Sequence, residues 1–209
     1  MRTLAIWGAS GHGKVVADAA LSSCWENIVF FDDRWPELER VGSWNVVGNG
    51  KLLFERTINY DAAIVAIGDN VMRMQKTLEL IKADITLATV THSSAIVSPH
   101  AAIGDGSVIF AGAVVNIDAQ LGVGCIVNTG ATVDHDCELG NGVHISPGAN
   151  LAGNVAVGNL SWVGIGASVR QNIIIGAEVI VGAGATVVKN IPSYCTVIGV
   201  PAEIIKIRN

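Results

Sequence analysis

Every sixth residue from Val97 to Val187 is Ile, Leu or Val, sixteen positions without a break. Four residues after most of them stands a small side chain, as at Ala101, Ser107, Ala113, Cys125, Cys137 and Ala167. Gly or Asn often follows the aliphatic directly, as at Gly104, Asn116 and Gly140. A period of six drifts against the 3.6-residue helical turn and suits short strands separated by turns. The large aliphatic and the small residue both face inward, and Gly or Asn tolerates the positive φ of tight turns. Stacked segments of this kind bury one continuous apolar row, which predicts a parallel β-helix. A β-sandwich of unrelated strands would not require an unbroken period.

The chain changes character near residue 96. Residues 1–96 hold 9 of the 13 Lys and Arg and 11 of the 18 Asp and Glu, whereas residues 97–192 hold 16 of the 24 glycines. Two domains are expected, 1–90 and 91–209. In the first, strands at Thr3–Trp7, Ile28–Phe31 and Ala62–Ile67 alternate with helices over Lys14–Leu21 and about Val71–Ala83, with Val15, Val16, Ala19 and Ala20 on the first helix's apolar side. Thr86–Val90 is a candidate fourth strand. This alternation predicts a small parallel sheet of Rossmann-like type. Between first strand and first helix runs Gly8-Ala9-Ser10-Gly11-His12-Gly13. Bare backbone N–H groups at a helix start attract phosphate, but a tight packing turn would look the same. The spacing is G-x-x-G-x-G, not the dinucleotide G-x-G-x-x-G, and the domain is too small for a full dinucleotide fold, so a mononucleotide is expected. Asp32 and Asp33 stand where a Rossmann acid accepts a hydroxyl, and a solvated turn is the plainer alternative.

The formal net charge of −5 gives no electrostatic footprint for nucleic acid. No run of about 18–20 apolar residues exists, so no membrane insertion is expected. The apolar stretch after Arg2 ends at the glycine loop, unlike a signal peptide. The cysteines, Cys24, Cys125, Cys137 and Cys195, form no CxxC and read as free thiols of a reducing, cytoplasmic setting.

Of five histidines, His92 and His100 fall at or before the start of the repeats and are treated as bystanders. His135 lies between Asp134 and Asp136, two residues after the inward Val133, so it belongs at a turn facing a cleft. Either carboxylate could hold its second nitrogen and raise its basicity, provided the turn brings the pair together. His144 follows nine residues on, so the two cannot stack within one chain but could meet across a subunit interface. Asp134, His135, Cys137 and His144 superficially suggest zinc. Cys137 falls in the inward register and no further suitably spaced histidine exists, so no metal is expected.

GASGHGKVVAD at 8–18, FFDD at 30–33, AIGDN at 66–70, ATVDHDCELG…HISPGA at 131–149 and the closing KNIP…VIGVPA at 189–202 together resemble the hexapeptide-repeat acyltransferases. Within them, the chain resembles the bacterial group that includes sialic acid O-acetyltransferases (NeuD type) and nucleotide-linked 4-amino-sugar N-acetyltransferases (PglD type). The resemblance implies a left-handed, three-sided β-helix of about five coils, a homotrimer with active sites between subunits, and acetyl-CoA as donor. It implies nucleotide-sugar binding at Ser10, Gly11, His12, Asp32, Asp33 and Gly68. His135 would be the base and Asp136 its orienting acid, where the group often has Glu. His144 would contact the acetyl group, and coenzyme A would run past Gly164, Ile165, Gly182 and Ala183, the last often Gly in the group. The implied activity is N-acetylation of a UDP-, dTDP- or GDP-linked amino sugar for surface glycans. The alternatives are sugar O-acetylation and a non-catalytic nucleotide-sugar-binding partner.

Overall fold

TLAIW at Thr3–Trp7 forms β1, whose last four residues are buried, and it pairs in parallel with β2 (Asn27–Phe31) on one side. In this computed structural model, which describes residues 2–55 and 58–208, the chain separates into two units, residues 1–93 and 94–209.

The N-terminal unit is built on a five-stranded sheet. A two-residue turn joins β3 (Arg40–Val41) to β4 (Trp44–Gly48), and β5 (Ala62–Val65) lies on the other side of β1, giving the order β3-β4-β2-β1-β5. All pairings but β3–β4 are parallel. Helix α1 (Gly11–Leu21) buries Gly13, Val16, Ala17, Ala19 and Ala20, with Val16, Ala19 and Ala20 on the expected apolar side. Val15, expected on that face, is exposed. A short α2 (Gly50–Glu55) follows β4. Helix α3 (Asn70–Lys82) starts at Asp69, whose carboxylate accepts the Met72 N–H at 2.8 Å, a capping bond that leaves Gly68 in the loop before it. Of the segment expected as a fourth strand, Leu87 makes an isolated bridge to Ala63 and Val90 begins β6 (Val90–Thr91).

The C-terminal unit is the left-handed parallel β-helix. Sixteen two-residue strands, β7 to β22, begin at Ile96–Val97 and recur every six residues to Thr186–Val187. Each pairs in parallel with residues eighteen away, as Thr132–Val133 does with Val114–Val115 and Asn150–Leu151. Three hexads therefore close one coil, and the strands fall on three faces. The first holds β7, β10, β13, β16, β19 and β22; the second β8, β11, β14, β17 and β20; the third includes β9, β12, β15, β18 and β21. The aliphatic row points inward, and Cys125 and Cys137 sit fully buried beside it, as their register requires. Burial raises the Cys137 thiol's pKa, so it remains a thiol in the core. On the third face the prism ends with β23 (Cys195–Ile198) and an antiparallel β24 (Glu203–Ile207).

Candidate functional site

Two constellations emerge, one in each unit. In the first, β1, β2 and β5 end side by side, and a pocket of about 270 Å³ opens beyond their carboxyl ends, where ligands of open α/β sheets bind. Gly8 makes the turn out of β1 at φ +124°, and an added Cβ would stand 2.7 Å from the Ala66 carbonyl oxygen, so the two loops approach as only glycine allows. Ser10, Asp32, Asp33 and Gly68 all line the pocket. Gly11 and His12, on the first turn of α1, do not. Burial and the nearby Arg73 guanidinium push the His12 pKa down to about 4, so its ring is neutral at ordinary pH.

Asp32 and Asp33 are already engaged. Asp32 accepts the Arg34 guanidinium at 2.7 and 2.9 Å and the Ala9 N–H at 2.7 Å, and the Arg34 contact foremost lowers its pKa to about 2. Burial works to raise Asp33, but Lys76 at 2.8 Å, the Gly50 N–H and the Trp7 indole outweigh it and hold the carboxyl below its usual range. Lys76 also lies 3.8 Å from the Trp7 ring centroid. Sequence reasoning passed over Trp7, Met72 and Lys76, which line the same pocket. Lys76 is 43 positions from Asp33, and no spacing rule joins them.

The second constellation sits on the prism. His135 and Asp136 occupy the corner between the first and second faces, after β13 (Thr132–Val133) and before β14 (Glu138–Leu139). Asp136 takes φ +58°, and this turn lets adjacent side chains converge. His135 Nδ1 lies 2.7 Å from Asp136 Oδ2, and the ring is half exposed. A carboxylate only accepts, so Nδ1 carries the proton and Nε2 keeps its lone pair. The Asp136 hydrogen bond, chiefly, raises the imidazole's pKa above 6.5. Asp134 does different work: its Oδ1 accepts the His135 backbone N–H and the Asn116 amide, both at 2.8 Å, fixing the turn.

His144 lies on the third face in β15 (His144–Ile145), nearly buried, so one chain does not bring it beside His135. The Asn128 amide donates to its Nε2 at 3.1 Å; Asn128 Oδ1 is taken by the Thr129 N–H, which fixes the amide's orientation. Trp162, one coil on, stacks on the ring at a 4.9 Å centroid distance and donates to Ser146 Oγ at 2.6 Å. The coil step of eighteen from His144 would have pointed to Trp162. Gly164, Ile165, Gly182 and Ala183 line the next corner, between third and first faces, with Ile165 61% exposed and Gly184 donating to its carbonyl. An added Cβ at Gly164 would stand 2.5 Å from the Val181 carbonyl oxygen and one at Gly182 2.7 Å from Ile198 Cγ2, so these glycines let the coils close on each other. Among the described residues, no group of three or more His, Cys, Asp or Glu is placed to hold a metal ion, and no helix is long and apolar enough to cross a membrane.

Residues 3–80 match the family model described as the PglD N-terminal domain. Over 114 residues the chain is 41% identical to UDP-N-acetylbacillosamine N-acetyltransferase of Bacillus subtilis (strain 168), covering 53% of this chain and 52% of that protein, about half its length. The acetyltransferase domain of PglB from Neisseria gonorrhoeae FA1090 is similar at 44% identity over 98% of this chain and 100% of that one, with a TM-score of 0.92, and it has also been solved with acetyl coenzyme A. PerB from Caulobacter crescentus, solved with CoA and GDP-perosamine, is 37% identical over 99% and 98% of the two chains, with a TM-score of 0.93. A glycine-loop α/β unit followed by a hexad-built prism, matched over nearly its whole length at such identity, places this chain in the PglD/NeuD-type family of hexapeptide-repeat sugar acetyltransferases.

Proposed function

We propose that this protein is an acetyl-CoA-dependent N-acetyltransferase acting on the amine of a nucleotide-linked amino sugar, in the synthesis of surface glycans. The observation that carries the reading is the His135–Asp136 pair, a half-exposed imidazole whose Nδ1 is held by a carboxylate, which leaves Nε2 of the neutral form to take a proton. In the reaction the amine nitrogen bonds to the thioester carbonyl carbon and the carbon–sulfur bond breaks. The amine's proton passes to His135 Nε2 and from there to the departing thiolate, so the imidazole ends as it began. Asp136 stabilises the imidazolium in between. We assign His144 to the acetyl group and the strip at Gly164, Ile165, Gly182 and Ala183 to the pantetheine arm. Ser10, Asp33 and Gly68 take the nucleotide sugar, with Gly11 and His12 offering the helix start to its phosphates. Asp32 acts here through Arg34, since its oxygens are already taken.

His135 and the His144 face lie on opposite sides of one prism. A second copy, in a homotrimer, supplies the missing half of each site. Free buried thiols and a coenzyme A donor fit a cytoplasmic setting. The test follows CoA thiol release with a panel of UDP-, dTDP- and GDP-linked amino sugars, free sialic acid and buffer alone. Release with at least one nucleotide-linked amine is expected, with a mass gain of one acetyl group. Release with free sialic acid alone would replace this reading by O-acetylation, and none at all would leave a non-catalytic binding protein.

A further inference from the structure

Residues eighteen apart share a corner of the prism, and Pro99, Ile117, His135, Gly153 and Gln171 form one such column. The backbone ties its coils together: Asp136 N–H donates to the Ile117 carbonyl, Asn154 N–H to that of His135 and Asn172 N–H to that of Gly153. Four of the five residues carry side chains, so the coil itself does not demand glycine at 153. Nor does Gly153 use the left-handed backbone that favours glycine. The column Gly104, Gly122, Gly140, Gly158 differs: an added Cβ there would run into the chain of the next coil. At Gly153 the added Cβ would meet the His135 ring, 2.5 Å from Nε2 and closer still to Cε1, far inside van der Waals contact.

We propose that Gly153 is a positioning residue whose bare Cα is the seat of the His135 imidazole, holding Nδ1 against Asp136 and setting the direction of Nε2. The functional consequence rests on His135 being the base; the seat itself does not. A methyl group at this position lifts the ring off the corner. The Asp136 contact lengthens, and the lone pair no longer points where the acceptor amine arrives. A misplacement of about 1 Å can cost roughly a hundredfold in rate.

The test compares Gly153→Ala, His135→Ala, the double variant and Gln171→Gly. Gly153→Ala is expected to lower kcat roughly ten- to a hundredfold with KM for both substrates little changed. In the substrate-free protein, ring NMR should show the His135 titration midpoint falling toward that of an unperturbed imidazole. The melting temperature should drop for Gly153→Ala in the wild-type background and not in the His135→Ala background, where the clash is gone. If the single variant fails to fold, a folded double variant supports the seat and an unfolded one overturns it. An unchanged His135 titration, equal destabilisation in both backgrounds, or the same losses from Gln171→Gly would each overturn it. The NMR and melting readouts need no activity, so a wild-type protein that acetylates nothing would sink the proposed reaction and leave the seat to its own test.

Discussion

The imidazole of His135 is tuned chiefly by Asp136, and the Asp134 charge works in the same direction. Asp136 favours its charged form, so its pKa lies above 6.5, and a general base must be neutral to act. Activity should therefore fall as pH drops through that raised pKa. Asp136→Asn removes the charge, and its acidic limb should move to lower pH with a reduced plateau rate, as a pH series of kcat/KM would show. An unmoved limb would detach the carboxylate from the reaction. His135→Ala should lower kcat about 10²- to 10⁴-fold with fold intact. The sign for stability is the reverse of that for activity. The folded pKa is raised, so the pair's contribution is fully present below the unfolded pKa and fades as pH rises through the folded one. Asp32 behaves oppositely: with its pKa near 2, its contribution holds above its ordinary value and is lost as pH falls toward 2. His135 was legible from Asp-His-Asp two residues beyond an inward valine. Which carboxylate faces the ring was not, because the left-handed turn at Asp136 decides it.

Strands of two residues have no stability of their own. Each of β7 to β22 exists because neighbours eighteen residues before and after share its hydrogen bonds and its inward aliphatic. Leu151, 1% exposed on β16 (Asn150–Leu151), is such an aliphatic, flanked by Val133 and Val169. Leu151→Ala should cost about 2–5 kcal/mol, read as a lower urea midpoint for the prism, and a change below about 1 kcal/mol would mean that the coil collapses around the gap. The hexads announced these elements because one repeated pattern signals a strand sixteen times. The N-terminal elements that escaped were those without a pattern. β3 has two residues and α2 six, too few for either period to register, and β4 was missed as well, since its five residues, WNVVG, do not alternate. Thr86–Val90 has strand composition, but it is split between an isolated bridge at Leu87 and a strand that begins only at Val90.

At the scale of the whole molecule, the residues assigned to the base and to the donor lie on different sides of one prism, so the proposed site needs two copies. Mixing His135→Ala protein with Ala183→Trp protein, whose corner strip is blocked, tests this. Mixed oligomers should regain activity at interfaces pairing an intact histidine with an intact strip, and no recovery after verified subunit exchange would place the site within one chain. The amino-acid sequence by itself determined the prism, its inward row and the turn that carries His135, because a six-residue period acts locally and repeats. The eighteen-residue step pairs Trp162 with His144 and Gly153 with His135, but only the tertiary structure decided that the first pair stacks, that a ring rests on Gly153 and that Lys76 meets Asp33. Those contacts join residues 18 to 43 positions apart, and chain folding, not local preference, chooses such partners.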